Sequence, residues 1–231
     1  MAGVELWVAP LDPGPALRAT LLASLAPAER DRAARFRSPD DRRRSAVARG
    51  WLRHILAEAL GVAPAGVVFA GEPGKPQLAG RDGPCFNVSH AGELVAVAVA
   101  DGAVGVDIEP VPGPPGTLDA ARAACTPAEA EVLARLPAGD RPAAFLRMWT
   151  AKEAYLKATG QGLTTAPDHV ETGAAWSGVP VAVGDRDSWW VRPVDIHPGY
   201  VGAVAARGRG WPVERRSPSS LGSLVRWTEA P

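Results

Sequence analysis

A recurring order of segments constrains the fold of this 231-residue chain more than any other feature. A helical pattern ending at Gly61 is followed by strand patterns that finish with the small apolar run Leu94–Ala100. A second helical pattern, ending at Gly160, is again followed by strand patterns, which finish with Tyr200–Ala206. The recurrence predicts two related halves joined near Asp101–Val104. Chance similarity between two strands rich in Ala and Val is the alternative.

The fold class that follows is α+β, with two similar lobes related by a pseudo-two-fold axis. Each lobe should be a mostly antiparallel sheet packed with a long helix. We expect an N-terminal lobe over residues 1–102 and a C-terminal lobe over 103–207. Residues 208–231 are rich in Gly, Arg, Ser and Pro and are expected to be a loosely held tail. A cleft between the lobes would be the natural ligand site.

Periodicity and punctuating Gly and Pro residues predict the individual elements. The expected helices are Pro27–Phe36, Arg42–Leu60, Thr117–Ala124, Pro127–Leu136 and Arg141–Thr159. The expected strands are Val4–Ala9, Val67–Ala70, Cys85–Val88, Leu94–Ala100, Ala103–Glu109, His169–Thr172, Val179–Val183, Trp189–Val194 and Tyr200–Ala206.

Charge and cysteine content restrict the class of ligand and the compartment. The formal net charge is zero, with 25 basic and 25 acidic residues, but the segment Arg30–Arg53 holds nine Arg. This local basic excess suits an anionic ligand, although a solvated helix face would look the same. The two cysteines fit a reducing cytoplasm, and no secretory signal is expected. The longest apolar run, Leu94–Ala100, is too short to span a bilayer.

The segment Gly105–Glu109, with the sequence Gly-Val-Asp-Ile-Glu, places two carboxylates at alternate positions. On a strand, alternation sends Val106 and Ile108 into a core and projects Asp107 and Glu109 together from the other face. Two neighbouring carboxylates repel each other unless a cation lies between them, and Mg²⁺ prefers such oxygen ligands. An ordinary half-buried strand with acidic outward positions would give the same pattern.

The segment Trp149–Lys157, with the sequence Trp-Thr-Ala-Lys-Glu-Ala-Tyr-Leu-Lys, contributes a third carboxylate and a cation. Glu153 and Lys157 share a helix face, with Trp149 one turn earlier. Glu153 could complete a metal site or accept a proton, and Lys157 could neutralise a phosphate. An exposed Glu–Lys pair is the alternative.

Two further motifs carry polar groups suited to phosphate. In Phe86–His90, the sequence Phe-Asn-Val-Ser-His ends a strand with Ser89 and His90, which could cradle a phosphate. A serine nucleophile with His90 as its base is disfavoured, because adjacent residues on a strand point apart. A capping Ser and a surface His remain an alternative. Gly74-Lys75-Pro76 is a turn with a charge, and it lacks the spacing of a P-loop.

Taken in order, these four motifs resemble the 4′-phosphopantetheinyl transferases of the Sfp type, the two-lobed, pseudo-dimeric members of that family. The resemblance covers residues 27–163 by motif and the remainder by the order of elements. It implies transfer of the 4′-phosphopantetheine moiety of coenzyme A to a serine of an apo carrier protein, with release of 3′,5′-ADP. Mg²⁺ is the implied metal, Mn²⁺ is possible, and coenzyme A is the co-substrate.

The resemblance also implies roles for individual residues. The metal carboxylates would be Asp107, Glu109 and Glu153, and the catalytic groups Glu153, Lys157 and Asp107. Groups that bind coenzyme A would be Arg32, Arg44, Ser45, Arg49, Lys75, Pro76, Ser89, His90 and Lys157. Glu29, with Arg30 beside it, is a departure, since some members place a basic residue at the start of the 3′-phosphate group.

The implied partners are apo acyl or peptidyl carrier proteins, with no nucleic acid and no membrane, and the internal pseudo-dimer favours a monomer. The loop Pro110–Gly116 and the helices up to Leu136 are the expected docking surface for the carrier. A non-catalytic module that binds coenzyme A or a carrier is the main alternative function. A metal-dependent phosphohydrolase is a second alternative. Nucleic-acid binding is disfavoured, because the basic residues lack interleaved aromatics.

Overall fold

The chain contains two four-stranded sheets, each packed against one long helix, in a computed structural model that describes residues 3–70, 76–80, 83–113, 123–162, 165–184 and 189–221. The described helices are α1 (Pro15–Ala23), α2 (Pro27–Ala34), α3 (Pro39–Leu60), α4 (Pro127–Arg135) and α5 (Arg141–Thr159). The described strands are β1 (Val4–Pro10), β2 (Phe69–Ala70), β3 (Gln77–Leu78), β4 (Cys85–Ala91), β5 (Leu94–Ala100), β6 (Val104–Pro110), β7 (Val181–Val183), β8 (Trp189–Pro193), β9 (Tyr200–Arg207) and β10 (Val213–Arg216).

The first sheet has the order β10-β1-β5-β4, and the second has the order β6-β9-β8-β7. All neighbours are antiparallel except β1 and β10, which run parallel. A two-stranded ribbon of β2 and β3 accompanies the first sheet. The mixed α+β class predicted from the sequence is confirmed.

Three apolar cores stack the elements into layers of helix, sheet, sheet and helix. The first core joins α3 to one face of the first sheet through Trp51 and Val97. The second joins the other face of that sheet, including Leu6, to Val106 and Val204 of the second sheet. The third joins the opposite face of the second sheet to α5. Strand alternation explains why β5 serves two cores at once.

Both long helices end as their sequences predict. Gly61 and Gly160 cap α3 and α5 in the left-handed conformation, with φ of 65° and 73°. Glycine adopts this conformation without a Cβ penalty and so ends the helix. At the other end of α3, Ser38 accepts a hydrogen bond from the Asp41 amide, which sets the start of the helix.

Two expectations are wrong. The strand predicted over His169–Thr172 is absent: a 3₁₀ helix covers Pro167–His169, and the Thr172 amide donates to the buried Glu129 carboxylate instead of to a sheet. The loosely held tail is also wrong within the described residues, since β10 pairs with β1 and Leu221 is fully buried in the first core. The helix predicted over Thr117–Ala124 lies largely outside the described residues.

Candidate active site

The site is built where β6 passes beneath α5. The side chains of Val106 and Ile108 are buried between the sheets, so Asp107 and Glu109 face the helix, as strand alternation predicts. Gly105 permits the close approach of α5, because a Cβ there would lie 2.0 Å from the Ala154 carbonyl oxygen. The glycine of the Gly-Val-Asp-Ile-Glu motif therefore brings the helix within reach of the carboxylates.

Asp107 is the centre of the hydrogen-bond network, and it is only 5% exposed. Its Oδ1 accepts from the Ser89 hydroxyl at 2.8 Å and from Lys157 Nζ at 2.6 Å. Its Oδ2 is buried and has no hydrogen-bond partner among the described residues. A buried carboxylate oxygen without a donor is costly, so this oxygen is the natural ligand for an added cation.

Two more carboxyl groups lie close enough to Asp107 for their charges to interact. Burial, followed by repulsion from Asp107 and Glu153, raises the pKa of Glu109 to about 7, against the charge of Lys157 and a hydrogen bond from Trp149. Burial and the charge of Asp107 also raise the pKa of Glu153. One lysine therefore faces three acidic groups, and the site is short of positive charge.

This acidic group is not a preformed metal cage. Within the described ranges, no set of three or more His, Cys, Asp and Glu side chains is gathered to hold a metal ion. Mg²⁺ does not need such a cage, because it keeps several waters and is commonly bound by one or two carboxylates together with substrate phosphates. Asp107 Oδ2, which has no hydrogen-bond partner among the described residues, fits that kind of site. So do Glu109 and Glu153, whose pKa values are raised.

Ser89 and His90 lie within β4, which continues to Ala91, three residues beyond the predicted strand end. Ser89 is buried and faces Asp107, so alternation turns His90 to the other side of the strand. Desolvation, followed by the positive charges of Lys157 and Arg44, lowers the pKa of His90. A neutral imidazole near two cations is suited to a negatively charged ligand.

A cavity of about 840 Å³ with basic and apolar lining, called the arginine cavity below, lies between α2, α3 and β2. Arg32 and Arg49 line it, and the Arg49 guanidinium lies 5.0 Å from the centre of the Phe69 ring. Desolvation, followed by the charges of Arg32 and Arg53, lowers the pKa of Arg49, against the attraction of Glu29. Anion binding in this cavity would relieve the mutual repulsion of these arginines.

The remaining residues predicted to bind coenzyme A occupy different places. Pro76 lines both the arginine cavity and a second cavity, of about 450 Å³, which extends to Lys157. Arg44 donates to Glu93 and lies 3.8 Å from Asp41, on the His90 side of α3. Ser45 is partly exposed on the same helix. Lys75 lies outside the described residues.

Several polar residues that the sequence motifs did not indicate support the site or the elements around it. Asn87 accepts a hydrogen bond from the Val106 amide at 3.0 Å, beside Asp107. Its position two residues before Ser89, on the same strand face, was the available signal. Glu29, noted only as a departure, pairs with Arg53 at 2.7 Å. Glu129 and Lys152 form a fully buried pair that nothing local in the sequence indicated.

Comparison with known proteins finds similarity to one enzyme family along most of the chain. The 4′-phosphopantetheinyl transferase superfamily matches residues 103–205, and the N-terminal family of 4′-phosphopantetheinyl transferases matches residues 12–101. The 4′-phosphopantetheinyl transferase HetI of Nostoc sp. is 37% identical over 90% of this chain and 89% of its own length. A 4′-phosphopantetheinyl transferase of Bacillus subtilis is 30% identical, over 80% of this chain and 84% of its own. The transferase Sfp of Bacillus subtilis (strain 168) is 25% identical over 83% and 86%.

A carboxylate centre with a lysine beside it, together with a basic cavity, suits an enzyme that acts on a phosphate-containing substrate. The chain belongs to the 4′-phosphopantetheinyl transferases. Enzymes of this family use coenzyme A as substrate and act on carrier proteins. No described helix combines the length and the apolar character needed to cross a membrane.

Proposed function

We propose that this chain transfers the 4′-phosphopantetheine moiety of coenzyme A to a serine of an apo acyl or peptidyl carrier protein and releases 3′,5′-ADP. The observation that carries the proposal is the bonded set of Ser89, Asp107 and Lys157, with two further acidic groups beside it. Such a site can hold a pyrophosphate and stabilise the charge that develops when its bridging bond breaks.

Mg²⁺, or Mn²⁺ in its place, is the metal we propose for Asp107, Glu109 and Glu153. Bound there, it would neutralise the pyrophosphate and the developing charge on the leaving phosphate. The residues fit, because Asp107 Oδ2 has no donor among the described residues and because burial, followed by repulsion from Asp107, raises the pKa values of both glutamates. A divalent cation would reverse that repulsion.

Three residues of the chain would bind the pyrophosphate, accept the serine proton and position Asp107. Lys157 can donate to a pyrophosphate oxygen, since its side chain is 28% exposed beside the buried Asp107. Glu153 is the candidate base for the carrier serine, acting directly or through a water. Ser89 holds Asp107 from the opposite side. Most of the rate enhancement would come from positioning and charge neutralisation.

The nucleotide end of coenzyme A would lie toward the first helix–sheet unit. We assign its 3′-phosphate to the basic groups near Arg32, Ser45, Arg49 and His90, with Arg44 adjacent, and its adenine to the neighbourhood of Lys75 and Pro76. Support comes from two cavities that share Pro76 in their lining, one lined by arginines and one reaching Lys157. Glu29 departs from the basic residue of some members, and it holds Arg53 and Arg49 by ion pairs.

We further propose that the two helix–sheet units are lobes related by a pseudo-two-fold axis, with the boundary near residue 102. Each unit has a mostly antiparallel four-stranded sheet and a long helix that ends at a left-handed glycine. An internal pair of this kind favours a monomer. The two cysteines form no disulfide, which fits a cytoplasmic enzyme. Residues 110–113 and α4 belong to the described part of the proposed carrier-docking surface.

A mass-spectrometric transfer assay tests the function. The protein is incubated with coenzyme A, Mg²⁺ and a panel of apo carriers, and each intact carrier should gain the mass of one phosphopantetheine. Chelation of the metal and the Glu153→Gln variant should each abolish the gain. Glu214→Gln, at an exposed position of β10, is the matched control and should retain it.

Two outcomes would contradict the proposal. Binding of coenzyme A without transfer to any carrier would favour the non-catalytic binding module. Release of phosphopantetheine in the absence of a carrier would favour a phosphohydrolase.

A further inference from the structure

The two sheets meet through their edge strands without forming a continuous sheet. The strand orders of the two described sheets end at β4 and β6, and these strands pack against each other. The register of β4 is with β5 and that of β6 is with β9. An edge strand presents backbone N–H and C=O groups that need partners. The backbone N–H and C=O groups of β6 that face β4 therefore need hydrogen-bond partners other than a neighbouring strand.

Side chains supply those partners at Val106, the residue before Asp107. Its amide donates to Asn87 Oδ1 at 3.0 Å, and its carbonyl accepts from Lys157 Nζ at 3.3 Å. Val106 is fully buried, so both backbone groups would otherwise be costly to leave unpaired. Asn87 thus occupies the position that a backbone carbonyl would take if β4 and β6 formed a ladder.

The Asn87 side chain lies between the two strands at this point. Directly paired strands lie about 4.8 Å apart, whereas an interposed asparagine side chain holds the backbones farther apart. The 450 Å³ cavity opens along this seam, with Asn87, Val104 and Lys157 in its lining. Two residues farther along β4, the space is bridged by Ser89 and Asp107.

We propose that Asn87 is a positioning residue: its side-chain bond to the Val106 amide sets the separation of β4 and β6 and thereby places Asp107 opposite Ser89. The proposal rests on the function proposed above, because the geometry that Asn87 maintains is that of the coenzyme A site. Asn87 acts through Asp107 and Lys157 rather than on the reacting atoms.

A purely structural role predicts something different. If Asn87 only held the sheets together, its loss would lower the melting temperature and leave the kinetic constants of the folded enzyme unchanged. Arg215 provides the matched comparison. It joins the first sheet to the second-sheet segment at Asp195 and Ile196 by side-chain-to-carbonyl bonds, at the β10 edge of the first sheet, which is the opposite edge from β4.

The experiment compares Asn87→Leu with Arg215→Met in the full chain. Leu matches Asn in size but cannot accept a hydrogen bond. Steady-state transfer with Mg²⁺, coenzyme A and a carrier that the wild type modifies should show kcat/KM for coenzyme A reduced at least about tenfold in Asn87→Leu, since small displacements at a reacting site can cost about a hundredfold. Arg215→Met should remain within about twofold, the scale of a change that removes no site contact.

Amide hydrogen exchange at Val106 supplies an independent readout. Asn87→Leu should accelerate this exchange, and Asn87→Asp, which keeps an acceptor oxygen, should restore protection. Unchanged kinetic constants in folded Asn87→Leu, or an equal kinetic loss in Arg215→Met, would overturn the positioning role. Wild-type protein that transfers nothing would count against the proposed function, while the exchange result would still test the Asn87–Val106 bond.

Discussion

Two regions of helix α5 hold a lysine against a carboxylate, and they differ in how completely the charges are satisfied. Beneath the helix, Lys152 and Glu129 are each 1% exposed at their side chains and lie 2.5 Å apart. Glu129 also accepts from the Thr126 amide and from both the amide and hydroxyl of Thr172. Lys152 donates to the Pro167 carbonyl as well. This region is closed and has no capacity for a ligand.

One and a half turns farther on, Lys157 and Asp107 form the opposite kind of pair. Lys157 is partly exposed, Asp107 Oδ2 has no partner among the described residues, and Glu109 and Glu153 add unbalanced negative charge. The contrast teaches that a buried ion pair is structural when every atom is bonded, and is a candidate site when an atom is left over.

Helix α3 repeats the contrast with arginines. Arg53 is buried, pairs with Glu29 and donates to the Pro64 and Val67 carbonyls. Arg49 lies 3.6 Å from Glu29 and lines the arginine cavity. Each long helix therefore carries a cation whose charge is satisfied by protein groups and another that remains available to a ligand.

Asp107→Asn should weaken the partly exposed Lys157–Asp107 pair and have the largest effect on activity. Asparagine keeps the size and an acceptor for Ser89, but it removes the charge on which a metal and Lys157 depend. Loss of one such electrostatic group typically costs about 10²–10³ in rate, and we expect the upper end of that range for carrier loading, with little change in melting temperature. Activity within tenfold of wild type would contradict the site, and Glu214→Gln on β10 serves as the control.

Lys152→Met should break the buried Lys152–Glu129 pair, here called the closed pair, and lower the free energy of unfolding. It leaves Glu129 as a buried charge without its cation, which costs about 3–5 kcal/mol. Urea unfolding followed by tryptophan fluorescence measures the change. Removing the exposed partner of Glu131 in Arg135→Met should cost only about 0–1 kcal/mol. A loss below about 1 kcal/mol in Lys152→Met, the level of a surface pair, would show that the closed pair is not structural.

The pH dependence of the free energy of unfolding should test whether the site around Asp107 holds unbalanced negative charge at Glu109. Its folded-state pKa, about 7, lies above the ordinary value of 4.5. Between these two pH values the folded protein holds a proton that the unfolded chain has released, so stability falls as pH rises from about 4.5 to 7. Glu109 is partly exposed, so after allowance for solvent screening we expect about 1–2 kcal/mol.

Metal-free wild type and Glu109→Gln are compared by chemical denaturation across that range. The wild type should lose stability relative to the variant as pH rises, and added Mg²⁺ should diminish the difference at the upper end. Parallel stability curves for the two proteins would refute the raised pKa of Glu109.

Arg49→Met should give the smallest effect and test whether the available cation of α3 binds the nucleotide end. We expect about tenfold weaker use of coenzyme A, or about 1.4 kcal/mol, with little change for dephospho-coenzyme A, which lacks the 3′-phosphate. Arg18→Met, which alters an exposed pair with Asp12, is the control. Equal losses with both substrates would remove Arg49 from the 3′-phosphate site.

Much of the local structure could be predicted from the sequence. The bounds of α5, the glycine stops of both long helices and the direction of Asp107 and Glu109 depend on residues within a few positions of one another. Steric preference and periodicity are local properties, so they can be read along the chain. The motif order also indicated the family to which the chain belongs.

Only the tertiary structure decided which distant residues meet. The bonds that join Ser89 to Asp107, Asn87 to Val106 and Lys152 to Glu129 cross 18 to 23 positions, and Lys157 reaches Asp107 across 50. The β10–β1 pairing brings residues 213–216 beside residues 4–7. Such contacts follow from how the layers pack, because a side chain meets a distant partner only after both backbones have been positioned by their cores.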